Sequence, residues 1–275
     1  DAQTTGNDAA PTVSGSTDLP VGETVSITVT DSNGDEQTFT ATVQPDGSFS
    51  ADVPADLADG AYTVDATATD AAGNVTTATD NNGEIDTAAP TVTLDPQNTG
   101  NDATPTVSGT TDLPVGETVS ITVTDANGDA QTFTATVQPD GSFSADVPAD
   151  MADGAYTVDA TATDAAGNAT TATDNNGEID TAAPTITFDA QTTGNDATPT
   201  VSGSTDLPVG ETVSITVTDA NGDAQTFTAT VQPDGSFSAD VPADMADGAY
   251  TVEATATDAA GNATTATDNN GEIDT

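Results

Sequence analysis

Apolar and polar residues alternate along most of the chain, which is the pattern of a β-strand with one buried face. In Thr118–Thr124, which reads TVSITVT, the three apolar residues take every second position and Ser or Thr fills the rest. Gln131–Gln138 and Ala155–Thr163 alternate in the same way. No segment is convincing as a helix, so the pattern predicts an all-β protein with Thr-rich outer faces.

Turn signals divide the middle of the chain into seven predicted strands. Asn127-Gly128 is the commonest hairpin dipeptide, and Pro139-Asp140-Gly141 places Pro and Gly where a turn uses them. The predicted strands are Thr91–Leu94, Thr106–Ser108, Thr118–Thr124, Gln131–Gln138, Phe143–Val147, Ala155–Thr163 and about Ala169–Thr173.

If these strands run up and down, their loops lie alternately at the two ends of the domain. The upper end would then carry Thr111–Gly116, Pro139–Ser142 and Asp164–Asn168. The lower end would carry Asp95–Thr104, Asp125–Asp129, Pro148–Gly154 and an outgoing linker, Asp174–Thr181.

The chain repeats with a period of 94 residues, as the equivalent positions Gly6, Gly100 and Gly194 show. The predicted units are residues 1–87, 88–181 and 182–275, and the first lacks the seven residues equivalent to Ala88–Leu94. A period of this length suits one β-sandwich domain per repeat. Because the chain starts inside a repeat, we expect it to be an excerpt from a longer protein.

The charge of the chain changes this picture, because 46 Asp and Glu residues stand against no Lys, Arg or His, a formal charge of −46. A folded surface of this kind repels itself within the Debye length. A chain can avoid this repulsion either by remaining disordered or by binding cations that neutralise its charge. The regular apolar alternation argues against disorder, so the sequence favours bound metal.

The same composition excludes several classes of function. Without Lys or Arg there is no electrostatic footprint for nucleic acid, and anionic membrane surfaces are repelled. No apolar run approaches the roughly 20 residues that span a bilayer, so we expect no membrane insertion. Without Cys there is neither a disulfide nor a zinc-thiolate site, and without His the commonest general base is missing.

An acidic segment that closes each unit is the candidate site. The linker of one unit is predicted to meet the upper loops of the next, and calcium takes six to eight oxygen ligands at about 2.3–2.6 Å. Oxygens from two domains can satisfy that geometry only if the domains stop rotating, so the ion would convert a hinge into a splint. The proposed ligands come from turns, loops and linkers: Asp70, Asp80, Glu84, Asp86, Asn101, Asp102, Asp112, Asp164, Asp174, Glu178, Asp180, Asn195, Asp196, Asp206 and Asp258.

Each of these residues also has a structural explanation. The Asp of T-D-A-A-G-N is a good turn residue, since its carboxylate can bond nearby backbone N–H groups. Asn101-Asp102 can cap its own loop. Asp125–Asp129 superficially resembles an EF-hand loop, but its Gly is misplaced and the bidentate Glu at the twelfth position is absent, which favours a hairpin turn. Tyr156 is assigned to the core.

Four motifs resemble one protein family. They are G-x-Y-x-V at Gly154–Val158, T-D-A-A-G-N at Thr163–Asn168, D-T-A-A-P at Asp180–Pro184, and G-N-D followed by P-T-V-S-G in Gly100–Gly109. Together they resemble bacterial immunoglobulin-like domains and, more narrowly, the tandem extender domains of large repeats-in-toxin (RTX) adhesins of Gram-negative bacteria. The resemblance covers all three units.

This resemblance implies three tandem seven-stranded immunoglobulin-like β-sandwich domains in a linear, monomeric rod. It implies an extracellular protein on the bacterial surface, held there through parts not present in this chain. Calcium ions and the neighbouring repeats would be its partners, and a distal module would do the binding. A strand of about nine residues rises roughly 30 Å, so we expect a rod about 100–130 Å long.

Two other functions fit the sequence less well. A carbohydrate- or protein-binding module usually presents exposed aromatics, but this chain has no Trp, and its three Tyr lie at core-like strand positions. An enzyme would have to use paired carboxylates of the glycosidase kind, and every copy would have to be an active site. We therefore expect a spacer and no enzyme.

Overall fold

The computed structural model describes all of residues 1–275 and contains 23 strands and no helix. The first unit contains β1 (Thr5–Gly6), β2 (Thr12–Ser16), β3 (Thr24–Thr30), β4 (Glu36–Thr42), β5 (Ser48–Asp52), β6 (Gly60–Thr69) and β7 (Val75–Ile85). The second contains β8 (Val92–Leu94), β9 (Thr99–Gly100), β10 (Thr106–Thr111), β11 (Thr118–Thr124), β12 (Ala130–Thr136), β13 (Ser142–Asp146), β14 (Gly154–Thr163) and β15 (Ala169–Ile179). The third contains β16 (Ile186–Phe188), β17 (Thr193–Gly194), β18 (Thr200–Thr205), β19 (Thr212–Thr218), β20 (Ala224–Thr230), β21 (Ser236–Asp240), β22 (Gly248–Thr257) and β23 (Ala263–Ile273).

Each complete unit is a sandwich of two sheets. In the second unit the larger sheet has the order β12-β11-β14-β15-β9 and the smaller β13-β10-β8, and the third unit repeats this arrangement. Sixteen buried side chains fill the space between the second unit's sheets, including Ile121, Phe143 and Val158. They come from the alternating positions, so the predicted all-β class and sandwich architecture are confirmed.

The seven strands predicted for the second unit are all present, with two differences in arrangement. The two-residue β9, inside a predicted loop, pairs in parallel with the end of β15 (Thr99 opposite Glu178). The strands also do not pair simply with their chain neighbours, because β10 lies between β13 and β8. Strand directions still alternate, so the loops lie at the predicted ends.

The last strand is longer than predicted and the linker correspondingly shorter. β15 continues to Ile179 instead of ending near Thr173, so most of the predicted linker Asp174–Thr181 belongs to the sheet. The alternation was hidden because β15 bulges: its register with β14 shifts between Tyr156, opposite Gly177, and Val158, opposite Asp174. Two residues of β15 there oppose one of β14, which interrupts the period of two.

Since the structure contains no helix, it contains no helical segment that could span a membrane.

Candidate functional site

The candidate site is the joint between consecutive units. Each joint consists of a short linker and a turn of the next unit, which lies between β14 and β15 in the second unit and between β22 and β23 in the third. In the first joint the linker follows β7. The backbone N–H of Asp86 still donates to the Gly6 carbonyl at 3.0 Å, which ties the start of the linker to its own unit. The backbone carbonyl of Asp86 faces the other way and accepts a hydrogen bond from the Asn168 side chain at 2.8 Å.

Asn168 lies in the turn between β14 and β15, which Asp164 organises. The Asp164 carboxylate accepts the Asn168 backbone N–H at 2.8 Å and its side-chain amide at 2.9 Å. These bonds favour the charged carboxylate, and the pKa of Asp164 is lowered, mainly by the side-chain bond from Asn168. One amide group therefore bridges a turn carboxylate in one unit and a linker carbonyl from the other.

The second joint repeats this geometry. The Asn262 amide donates to the Asp180 carbonyl at 2.7 Å and to the Asp258 carboxylate at 2.9 Å. The pKa of Asp258 is again lowered, first by its bond from Asn262.

Further contacts fix both sides of the linker. Pro90 is buried, and the next residue, Thr91, donates its backbone N–H to the Asp112 carboxylate at 2.8 Å. On the other side, the amide nitrogen of Asn7 lies 3.7 Å from where a Cβ would stand on Gly167. The second joint has the same contacts, with Thr185 donating to Asp206 at 2.8 Å and Asn101 placed 3.9 Å from the equivalent point on Gly261.

The first unit shows the same turn without a domain packed on it. Asn74 donates its side chain to the Asp70 carboxylate at 2.7 Å, but no linker carbonyl is present as a second acceptor. Asp70 and Asn74 are exposed, whereas Asp164 and Asn168 are half-buried. The preceding unit therefore covers the turn.

The structure brings some of the predicted ligands together at the joints and leaves others within one unit. Asp86, Asp112 and Asp164 meet around the first linker, as Asp180, Asp206 and Asp258 do around the second. Asp70 occupies the uncovered turn of the first unit.

Four carboxylates that were predicted to lie in the linkers lie instead in β7 and β15. They accept hydrogen bonds from residues of their own unit. Asp174 accepts the Gln97 N–H at 3.0 Å, and Asp80 accepts that of Gln3 at 2.6 Å. Glu178 accepts a bond from Thr99, and Glu84 one from Thr5. The prediction that these four approach the next unit is corrected, since the sheet continues through their positions.

Asp102 and Asp196 cap their own loops, each accepting a backbone N–H two residues on at 2.9 Å. Asn101 lies beside Gly261 of the next unit, while Asn195 lies in the corresponding loop of the third unit. The loop that resembles an EF-hand is a hairpin turn, because the Asp125 carboxylate is taken up by backbone N–H groups of Asn127, Asp129 and Ala152.

No three acidic side chains converge closely enough to hold a metal ion by themselves. The joint instead offers oxygens of two kinds, the Asp164 carboxylate and the Asp86 backbone carbonyl, which both accept hydrogen bonds from the Asn168 amide nitrogen. Calcium is bound by such mixed sets, so the donor chemistry fits the ion although the carboxylates alone do not form its cage.

Sequence reasoning missed Asn168, Asn262 and the two linker carbonyls as members of the site. The signal was present in the T-D-A-A-G-N motif, whose Asn lies four residues after the Asp that closes the turn. The linker carbonyls have no side-chain signature, so only the fold could identify them.

The surface offers little to a ligand that would stack on aromatic rings. Tyr62, Tyr156 and Tyr250 are all buried, as predicted for the core, and the exposed large apolar side chains are four separate valines, Val21, Val75, Val115 and Val209.

Residues 1–87, 89–181 and 185–275 each match the family model described as a bacterial Ig-like domain. The crystal structure of a tetra-tandem repeat in the extending region of a large adhesion protein is 39% identical, covering 97% of this chain and 71% of that one, with a TM-score of 0.34. A calcium-stabilised adhesin that helps an Antarctic bacterium reach out and bind ice is 33% identical (96% and 69% covered, TM-score 0.40). A 1.5-MDa bacterial ice-binding adhesin is 28% identical (97% and 92% covered, TM-score 0.39). No curated protein matches the chain.

Proposed function

Because this chain belongs to the bacterial Ig-like domain family, we propose that it is a structural extender of a bacterial cell-surface adhesin, stiffened by Ca²⁺ bound at its two interdomain linkers. The observation that carries the proposal is the joint itself. There Asn168 brings the Asp164 carboxylate of one domain within reach of the Asp86 carbonyl from the other. The domains of the proposed rod are residues 1–87, 88–181 and 182–275.

Similarity in sequence supports this function. The protein that is 39% identical is an extending region of a large adhesion protein, and the one that is 33% identical is a calcium-stabilised adhesin. The family is structural and non-enzymatic. We therefore propose that the chain lies at the cell surface, is anchored through parts outside it, and projects a binding module carried elsewhere.

The ion would supply positive charge and a fixed coordination geometry at each joint. The Asp164 carboxylate and the Asp86 carbonyl would hold it in the first joint, and Asp258 and Asp180 in the second. Since the two groups of each pair belong to different domains, binding both restrains rotation about the linker. The chain has no cation of its own among its side chains to offset 46 acidic groups, so bound Ca²⁺ also relieves repulsion.

The test is small-angle scattering with thermal melting, in millimolar calcium and then in excess chelator. We expect calcium to give a longer particle and a higher melting temperature, because an ion that binds only the folded joint stabilises it by mass action. If both conditions give equal extension and equal stability, the calcium proposal is overturned.

Asp164→Ala should lower the melting temperature in calcium more than in chelator. Asp70→Ala is the matched control, since Asp70 forms the same turn with no domain packed on it. An Asp164→Ala loss that equals that of Asp70→Ala in both conditions would assign Asp164 to the turn alone.

A further inference from the structure

We propose that Asn168 and Asn262 are metal-independent latches that hold each domain against the linker of the domain before it. The proposal concerns what the joint does without calcium, so it goes beyond the extender function. Each asparagine donates from one amide nitrogen to two oxygens in different domains, at 2.8 and 2.9 Å in the first joint and 2.7 and 2.9 Å in the second.

The orientation of the amide follows from its partners. A backbone carbonyl and an ionised carboxylate can only accept hydrogen bonds, so the NH₂ group must face both Asp86 and Asp164. A flipped amide would place its oxygen against two other oxygens. The Asn168 side chain therefore places the positive end of its amide dipole between two acceptors, a neutral carbonyl and a charged carboxylate.

The latch is effective because of where the linker is held on either side. The start of the linker is fixed to its own domain through the Asp86 N–H, and its end is fixed to the next through Thr91 and Asp112. Between these two points, Thr87 and Ala88 donate hydrogen bonds to Asp59 and Asp86, which also belong to the preceding side of the joint. The bond from the turn of the next domain to the Asp86 carbonyl crosses the joint and opposes rotation of one domain against the other.

The first unit provides an internal reference. Its turn has the same sequence up to the asparagine and the same bond between Asn74 and Asp70, but Asn74 has no second acceptor and is exposed. The bond to the carboxylate is thus a property of the turn, and the bond to the carbonyl is the added function of Asn168 and Asn262.

The experiment measures interdomain distances in excess chelator by double electron–electron resonance. The chain has no Cys, so Thr40→Cys, Thr134→Cys and Thr228→Cys, at equivalent exposed positions, introduce the only labelling sites. The first two labels report on the first joint, and the last two report on the second.

Asn168→Ala should broaden the distances across the first joint and leave the second unchanged. Losing one net hydrogen bond corresponds to about a fivefold fall in the ratio of docked to undocked joints. Asn168→Asp keeps the shape but replaces the donor with a charged acceptor, so it should broaden the first joint further. Asn74→Ala, which removes only the turn bond, should broaden neither joint.

Circular dichroism melting of each variant shows whether its domains remain folded. Unchanged distances for both Asn168→Ala and Asn168→Asp in folded protein would overturn the latch. Because the chelator removes calcium, this result would leave the calcium proposal intact, and failure of the calcium test would leave the latch intact.

Discussion

Gly177 shows how a single residue without a side chain can decide the packing of a domain. The ring of Tyr156 lies directly over it, and a Cβ at residue 177 would stand 2.2 Å from a ring carbon. The Tyr156 hydroxyl then donates to the buried Gln97 side chain at 3.0 Å. Burial raises the pKa of this phenol, so it stays a neutral donor.

We expect Gly177→Ala to destabilise the second domain by about 1–3 kcal/mol, the usual range for overpacking. The methyl group would displace Tyr156 and break its bond to Gln97. Gly100→Ala is the control, because it changes the neighbouring strand at a point with no atom within 4 Å. Urea denaturation of both variants compares them, and equal losses would show that Tyr156 moves aside at little cost.

The carboxylate of Asp125 links the stability of its hairpin turn to pH. Its carboxylate accepts hydrogen bonds from three backbone N–H groups, which lower its pKa; the largest cause is the bond from Asp129. A lowered folded-state pKa contributes stability that is present above the unfolded value of about 4 and is lost as pH falls through the folded value. Twelve aspartates share this direction, each mainly through hydrogen bonds that it accepts: Asp31, Asp46, Asp70, Asp80, Asp125, Asp140, Asp164, Asp174, Asp219, Asp234, Asp258 and Asp268.

The protein should therefore lose stability in acid even in chelator, as thermal melting between neutral pH and about pH 2.5 would show. Asp125→Asn should lower the melting temperature at neutral pH and flatten part of this acid dependence. Asp129→Asn removes the same charge without removing that acceptor, so its acid profile should keep the slope of the parent protein. Parallel profiles for the two variants would contradict the assignment.

At the scale of elements, the sequence predicted strands where alternation was uninterrupted. Thr118–Thr124 has the predicted bounds, because both of its faces follow a strict period of two. The end of β15 is predicted as linker because the bulge between Asp174 and Gly177 interrupts the period of two, and Ile179 is the only apolar residue beyond it. The parallel pairing of β9 with β15 could not be predicted for a different reason: β9 has only two residues, too few to show an alternating pattern.

Strand β8 lies at the edge of the second domain's smaller sheet, next to β10. Gly109 permits its approach, since a Cβ there would lie 2.0 Å from the Thr93 carbonyl oxygen.

At the scale of the whole molecule, repetition allowed the sequence to predict the joints as the site, but it did not identify their contacts. Which groups meet depends on how far the last strand runs. Extending β15 moves Asp174 and Glu178 into the sheet and leaves Asp180 as the residue at the joint. Charge alone could not distinguish these positions, since all three are acidic residues within seven positions of one another.

Each joint is formed by the lower end of one unit and the upper end of the next, and the contacting residues are the same in both joints. A genetic exchange between two misaligned copies of the repeat would therefore add or delete whole units of 94 residues. In every resulting protein, each joint would again combine the lower end of one unit with the upper end of the next. Lineages could thus change the reach of the protein by recombination alone, without waiting for a compensating point mutation at any new boundary.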